Sequence, residues 1–166
     1  MRLPLFALAA AMIAGAVVID RTAADLPVHV ATHFGLRGDA NGWMSRGVYT
    51  GVMTGLVIVV PLFALLKIVL LPAAGRGWRG VPHLDYWLAP ERRGATRWRL
   101  ASHAAVLGCL LVAFLVAMHF VLIDANAHAP PALPLQPFLV ALLVFLAAVA
   151  AWATLVRRSF ARVPLR

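Results

Sequence analysis

Long apolar blocks alternate with short polar stretches along this chain of 166 residues. The blocks cover residues 3–19, 47–71, 100–123 and 135–156. Each has about 17 to 25 residues, close to the roughly 20 that a helix needs to cross the hydrocarbon core of a bilayer. Because helices satisfy their own backbone hydrogen bonds in lipid, all four blocks are expected to be helical. The pattern predicts an all-α fold: an integral membrane bundle of four transmembrane helices with a structured outer loop between helices 1 and 2.

The composition supports the same class of protein. Apolar residues make up 63% of the chain and charged residues 13%, whereas a soluble domain has about half apolar and a quarter charged residues. An ordinary water-soluble globule is therefore excluded. The single cysteine, Cys109, lies inside the third block, where it can form neither a disulfide within the chain nor a paired-cysteine metal site.

Basic residues are distributed unevenly between the polar stretches. Lysine and arginine number 15 against 6 acidic residues, but residues 124–134 contain no lysine or arginine. The positive-inside rule places both termini and the middle segment in the cytoplasm of a bacterial inner (plasma) membrane. These arginines flank membrane segments rather than forming a soluble basic face, so no nucleic-acid partner is expected. The predicted cytoplasmic arginines are Arg76, Arg79, Arg92, Arg93, Arg97, Arg99, Arg157, Arg158, Arg162 and Arg166.

The blocks and loops predict three regions. Residues 1–71 form a helix-loop-helix unit, residues 72–99 a cytoplasmic loop rich in arginine and tryptophan, and residues 100–166 a transmembrane hairpin with a basic tail. The first block also fits a secretory signal ending near residues 22–24, which leaves cleavage of that block as an alternative.

Small residues at a spacing of four indicate where helices approach closely in lipid. Such stripes occur in the first and second blocks, so a tight antiparallel pair of these two helices is expected. Pro61 removes a backbone hydrogen bond in the second block and predicts a kink there. The predicted packing stripes are Ala7, Ala11 and Gly15 in the first block and Gly47, Gly51 and Gly55 in the second.

The first outer loop carries the residues most suited to a site. Asp25 followed by a Leu-Pro pair is typical of a helix start, and Gly35 is typical of a helix end. On such a helix, His29 and His33 share a face and have the spacing that can bind one zinc ion. The stretch 38–43 then predicts consecutive tight turns. A zinc site on the outer face, built from His29, His33 and either His119 or His128, is therefore one alternative function.

The sequence contains few other motifs that are typical of catalysis or ligand binding. An ionisable residue within a membrane segment, such as His119, is a functional candidate. The four blocks contain no Asp or Glu, which argues against secondary transport. The chain also lacks the glycine-rich phosphate loop, the nucleophile elbow and the zinc-protease helix. We therefore expect a protein that is not an enzyme and has no cofactor.

The middle segment combines tryptophan with arginine. Trp78, Trp87 and Trp98 are expected at the membrane interface, and arginines there can bind anionic lipid headgroups or a cytoplasmic protein partner. The candidate contact residues of this loop are Tyr86, Trp87, Pro90, Glu91, Arg92 and Arg93.

The outer loop resembles the signature of a bacterial membrane domain of unknown function, which reads roughly LPxxVPTHFGxxGxPDGWxSK. The chain matches the Leu-Pro pair of the signature and most of its polar, aromatic and glycine positions. It has Ala31, Ala40, Asn41 and Arg46 where the signature has other residues. Residues 82–93 and the pair Ala125-Asn126 are also similar to short proteobacterial members. The signature residues proposed for ligand or partner recognition are His33, Phe34, Gly35, Gly38, Trp43, Ser45 and Arg46.

The same domain forms the N-terminal part of the immunity proteins against the sporulation-delaying toxin. Our first expectation is a non-enzymatic binding, sensing or immunity-like module that uses its outer loop. The C-terminal half of those immunity proteins is absent from this chain. A third alternative is an accessory subunit whose helices stabilise a larger membrane complex.

Overall fold

The computed structural model describes residues 3–70 and 81–163. Four of its helices are long and apolar enough to cross a membrane, which confirms the predicted class. Arg76, Trp78, Arg79 and Arg166, which were singled out above, lie outside the described residues. The elements are α1 (Leu3–Thr22), a short 3-10 turn (Ala23–Asp25), β1 (His29–Phe34), β2 (Ala40–Ser45), α2 (Arg46–Leu70), α3 (Leu84–Trp87), α4 (Arg93–Asn126) and α5 (Leu135–Ala161).

Helix α4 is longer than its apolar block. It has 34 residues, which at 1.5 Å per residue gives about 50 Å, well above the roughly 30 Å of a hydrocarbon core. The additional turns begin at Arg93, before the apolar block. They carry arginines that can remain in water while the apolar part of the helix is in lipid.

Helix α4 also lies at the centre of the bundle. It packs against α1 and α2 on one side and against α5 on the other. Midway along the bundle, Ile19, Val57 and Val112 form a buried cluster that joins α1, α2 and α4. A second cluster around Leu100, Ala104 and Phe160 joins α4 to α5. We call the end of the bundle that carries the two strands the hairpin end, and the opposite end, where α4 begins and α5 finishes, the arginine end.

Two glycines form the closest seams between helices. A Cβ atom built on Gly108 would lie 2.7 Å from a methyl carbon of Leu8 and 3.3 Å from Cβ of Pro61. A Cβ atom built on Gly15 would lie 3.0 Å from a methyl carbon of Val57. Glycine at these two positions therefore lets α4 approach both α1 and α2.

The predicted stripe on α2 has a different position. A Cβ atom built on Gly47, Gly51 or Gly55 would meet nothing within 4 Å among the described residues. The prediction that these glycines pack against another helix of the chain is therefore wrong. Spacing identifies a stripe, but it does not say which side of the helix faces its neighbours.

The stripe on α1 is correct only in part. Gly15 is buried and Ala11 lies beside the central cluster, whereas Ala7 is exposed. Each four-residue step rotates the side chain by about 40° around a helix of 3.6 residues per turn. A stripe of period four therefore leaves the buried side of the helix, which Leu8 occupies one turn before Ala11.

The outer loop forms a β-hairpin rather than the predicted helix. Strands β1 and β2 pair antiparallel, with His29 opposite Ser45 and Ala31 opposite Trp43. The tight turn covers Gly35–Asp39, where the amide of Gly35 donates to the carbonyl of Asp39 over 2.8 Å and Gly38 has a φ of 85°. The turn therefore comes earlier than predicted, and residues 40–45 belong to β2.

Candidate functional site

Asn126, the last residue of α4, binds the hairpin to the bundle. Its side-chain oxygen accepts a hydrogen bond from the amide of Ala31 over 2.8 Å, and its side-chain nitrogen donates to the carbonyl of Ala31 over 3.0 Å. The same nitrogen donates to the carbonyl of Leu122 over 2.9 Å. Because Ala31 is fully buried, its main-chain groups need partners within the protein. The Asn126 amide supplies both, as a neighbouring strand would.

The ladder between the strands explains why Ala31 is free to bind Asn126. The amide of Arg46 donates to the carbonyl of Val28 over 2.9 Å, so these two residues form a hydrogen-bonded pair. Pairs alternate along an antiparallel ladder, so Ala31 and Trp43 form a non-hydrogen-bonded pair. Their main-chain groups therefore point away from each other. Those of Ala31 face α4, and those of Trp43 face the outer edge of β2.

A second polar connection lies just beneath the hairpin. His119 is fully buried, with Nε2 2.7 Å from the hydroxyl oxygen of Thr22 and Nδ1 2.7 Å from that of Tyr49. The Thr22 hydroxyl itself donates to the carbonyl of Val18 over 2.7 Å. One imidazole thus joins the end of α1, the start of α2 and the outer part of α4.

The direction of each hydrogen bond in this network follows from the donors available. The Thr22 proton is used on Val18, so the hydroxyl oxygen of Thr22 accepts from Nε2–H of His119. Nδ1 then carries no proton and accepts from the hydroxyl of Tyr49. Every polar atom is satisfied by a neutral imidazole, so the network holds three helices together without a buried charge.

The histidines predicted as zinc ligands make other contacts in the structure. Both ring nitrogens of His119 are occupied by hydroxyl groups, while His33 binds the side chain of Asn41. His128 binds the carbonyl of Asp124 through Nδ1. Within residues 3–70 and 81–163, no three His, Cys, Asp or Glu side chains are grouped to hold a metal ion. His29, His33 and His119 are therefore not brought together, because His29 and His33 lie on a strand and not on one helix face.

The junction between β2 and α2 is fixed by two of the predicted residues. The Arg46 guanidinium donates to the carbonyls of Leu26 over 3.0 Å and Ala24 over 3.3 Å. The hydroxyl of Ser45 accepts from the amide of Val48, as an N-cap does. Both residues therefore position the hairpin on the bundle.

His33 and Gly42 form the outer part of the hairpin. A Cβ atom built on Gly42 would lie 2.9 Å from Cβ of His33, so a side chain at this position would displace His33. His33 is exposed and Phe34 is half-buried. Gly35 and Gly38 form the turn and leave no side chain for a ligand. Of the predicted recognition residues in this part of the loop, His33 is the one with an exposed polar side chain.

A groove of about 290 Å³, with both apolar and charged residues in its lining, opens beside the hairpin. Trp43 is 55% exposed on its wall, although the strand that carries it is fixed at both ends. The opposite wall comes from the loop between α4 and α5, where the amide of Leu133 donates to the carbonyl of Gly38 over 2.9 Å. Its lining includes Arg37, Asp39, Trp43, Pro130, Pro131 and Ala132.

A larger groove, of about 630 Å³, lies between the arginine-end parts of α1 and α2. Its described lining is entirely apolar and includes Leu5, Leu62 and Phe63. Specific ligand sites combine apolar walls with a few polar groups that orient the ligand. The hairpin groove has both kinds of group, so it is the better candidate site.

The predicted contact residues of the middle loop bind mainly within the protein. The indole N–H of Trp87 donates to the carbonyl of Phe160 over 3.0 Å, so this residue packs against α5. Arg92 donates from Nε to the carbonyl of Tyr86 over 2.9 Å and lies 4.0 Å from the centre of its ring. Arg93 donates to the carbonyl of Leu88 over 3.2 Å. Pro90 and Glu91 are exposed.

Several residues that build the site were not selected from the sequence as site residues. Asn126 was noted only within a resemblance, and Thr22 and Tyr49 were not noted. A polar residue at the edge of each apolar block is a usable signal, because a buried polar side chain in lipid needs a partner. The partner itself could not be named from the sequence, since Asn126 and Ala31 are separated by 95 positions.

A family described as Domain of unknown function (DUF1648) matches residues 6–65. This segment contains most of α1, the whole hairpin and most of α2. No curated protein and no solved structure matches the chain. The expected resemblance to a domain of unknown function is confirmed over these residues, and the link to immunity proteins stays a prediction. His119, Asn126 and the second wall of the groove lie outside the matched segment.

Proposed function

We propose that this chain is a non-enzymatic binding module of a bacterial inner membrane and that its ligand site is the groove beside the hairpin. The observation that carries the proposal is Trp43, which exposes 55% of its surface on a strand fixed by polar contacts at both ends. Exposed tryptophans on a rigid frame are frequent centres of binding energy. The site therefore presents an aromatic surface at little cost in ordering.

The orientation is part of this proposal. The positive-inside rule puts the arginine end in the cytoplasm and the hairpin outside. Exposed arginines support it, because each one near an anionic leaflet contributes about 1 kcal/mol. Those that face away from the protein at the arginine end include Arg97, Arg157, Arg158 and Arg162.

An immunity-like or sensing role fits the same site, because either role requires recognition outside the membrane. An accessory-subunit role, in which the helices stabilise a larger complex, requires no groove. The two roles differ in whether Trp43 matters. A variant without the Trp43 side chain keeps the bundle intact under either role. It loses activity only if the protein has the immunity-like or sensing role.

The test uses a photoreactive amino acid in native bacterial membranes. Placed at Asp39, which lines the groove beside Trp43, it is expected to give a discrete adduct that disappears when Arg37→Ala is added. Placed at Leu139, which is 42% exposed on α5, it serves as the matched control for contact with lipid. The same lipid and self-adducts at both positions, unchanged by Arg37→Ala, would contradict the proposal.

A further inference from the structure

The outer edge of β2 is a strand edge that the protein leaves open. The main-chain groups of Trp43 point toward this edge, by the same alternation that directs those of Ala31 to Asn126. Ala31 is fully buried, whereas Trp43, Asn41 and Ser45 are exposed. One edge of the hairpin is thus completed by α4. By the same alternation, the main-chain groups of Trp43 are left open on the other edge, and the register shifts of the ladder begin only beyond the Ala31–Trp43 pair.

The loop between α4 and α5 pairs with this side of the hairpin through one bridge and then leaves it. Ala132 pairs with Asp39 in an antiparallel bridge, and the amide of Leu133 donates to Gly38. The preceding residues on that side are Pro131 and Pro130, which have no N–H to donate. The third strand therefore ends after one bridge, and the groove opens where it leaves the sheet.

An open edge next to an aromatic wall is suited to one kind of occupant. An extended peptide can add a strand to such an edge: its main chain supplies affinity, and alternate side chains enter pockets. A lipid headgroup has no repeating donors and acceptors to match the edge. We propose that the groove binds an extended peptide by strand addition to β2, with an apolar side chain against Trp43.

This inference rests on the proposed function and names the ligand class of the same site. The probe is a displayed library of random nine-residue linear peptides. It is panned against the full chain in nanodiscs of phosphatidylethanolamine and phosphatidylglycerol. Enriched peptides are expected to bind in the micromolar range, which is ordinary for a short added strand.

Two variants at one position separate the side chain from the main chain. Trp43→Ala removes the indole and keeps the N–H, and we expect binding about tenfold weaker. Trp43→Pro removes both, and we expect a further loss of about tenfold. The N–H of Trp43 is outside the β1–β2 ladder, so proline is compatible with the hairpin there. Thermal unfolding of both variants checks that the bundle is intact.

A second measurement does not depend on the folding of any variant. Each amide of an enriched peptide is N-methylated in turn. Strand addition predicts that binding falls at least tenfold at every second amide and little at the others. Trp98→Ala, at an exposed tryptophan of the arginine end, is the matched control and should bind as the wild type does.

The outcomes separate the two claims. Binding that depends on Trp43 and Arg37 but shows no alternation along the peptide would overturn strand addition and leave the groove as a binding site. A library that enriches no peptide over the Trp43→Pro variant would also overturn the inference, while photoreactive labelling at Asp39 decides the proposed function independently. Lipid adducts as the sole product at Asp39 would contradict both.

Discussion

The two ends of the bundle differ in the contacts that join their elements, although the Arg46 guanidinium also donates to two carbonyls at the hairpin end. At the hairpin end, Asn126 and His119 make neutral hydrogen bonds to strands and helices distant in sequence. At the arginine end, the Arg99 guanidinium lies 4.8 Å from the ring centre of Phe160 and 5.4 Å from that of Trp87, and it also binds the carbonyl of Ser159. Neutral amide and hydroxyl groups suit positions closed off from water, whereas a guanidinium suits a surface that water and lipid headgroups reach.

At the hairpin end, the residues that hold the strands in place differ from the residue proposed to bind a ligand. At the hairpin end the buried polar residues are fully used in holding the strands, and Trp43 beside them is exposed. Variants of Asn126 and His119 should therefore reduce stability, and variants of Trp43 should reduce binding alone. The predictions below test this division from the largest effect to the smallest.

The largest effect is expected for Asn126→Leu. It leaves the amide and carbonyl of Ala31 buried without partners, at about 1–3 kcal/mol for each group. Unfolding in detergent should show a loss of about 2–5 kcal/mol, and the amide of Ala31 should exchange with solvent faster. The control is Asp124→Asn, on an exposed residue two positions earlier in α4, which should behave as the wild type does. Equal stability of the two variants would contradict the role of Asn126.

Gly108→Leu and Gly51→Leu compare the buried seam with the open stripe. Leucine at Gly108 overpacks the contact with Leu8 and Pro61, and such changes cost about 1–3 kcal/mol. Leucine at Gly51 meets open space and should leave the unfolding midpoint unchanged. A larger loss at Gly51 than at Gly108 would show that the helix faces are assigned incorrectly.

His119→Leu tests the polar connection beneath the hairpin. The substitution leaves the buried hydroxyl of Tyr49 without a hydrogen-bond partner, which should lower the free energy of unfolding by about 1–3 kcal/mol. Thr22 keeps its hydrogen bond to Val18. The double variant with Tyr49→Phe removes the orphaned hydroxyl and should recover part of this loss. Strictly additive effects of the two substitutions would argue against the hydrogen bond between these side chains.

The smallest effect is expected at the arginine end. Arg99→Lys keeps the charge but loses the planar group that stacks on Trp87 and Phe160, a contribution of about 0.5–1 kcal/mol. Arg97→Lys, at an exposed position, is the matched control and should cost nothing measurable. Thermal unfolding of both proteins in the same detergent gives the comparison.

The four membrane helices could be predicted because their signal is local. An apolar block of sufficient length has one stable form in lipid, and the observed helices overlap all four blocks. The positions of the helix ends were predicted less accurately. Helix α4 begins at Arg93, before its apolar block, because arginine side chains are compatible with both water and the membrane interface, so the helix continues into water.

The hairpin could not be predicted because its stabilisation is not local. A helix of about two turns is marginal on its own, and residues 29–34 instead bury Val30 and Ala31 against the bundle. The decisive contact comes from Asn126, 95 positions further along the chain than Ala31. Burial and a distant amide therefore overrode the cap and spacing signals that favoured a helix at Asp25.

The groove itself was not predicted, although two of the predicted recognition residues, Gly38 and Trp43, line it. Its second wall depends on Pro130 and Pro131, and their effect becomes visible once Ala132 is seen to pair with Asp39. Which glycines face other helices was equally hidden, since Gly15 and Gly51 look alike in sequence. The residue types indicated which side chains could form a site. Contacts between segments distant in sequence decided how these side chains are arranged.

The central claim is that the chain spans a membrane with the hairpin groove outside and the arginine end in the cytoplasm. It is tested most directly by labelling single cysteines in intact cells with an impermeant maleimide, in a Cys109→Ser background. Asp39→Cys should be labelled at once, and Arg158→Cys should be labelled only after the cells are opened. Labelling of Arg158→Cys but not Asp39→Cys in intact cells would contradict the orientation and, with it, the proposed role of the groove.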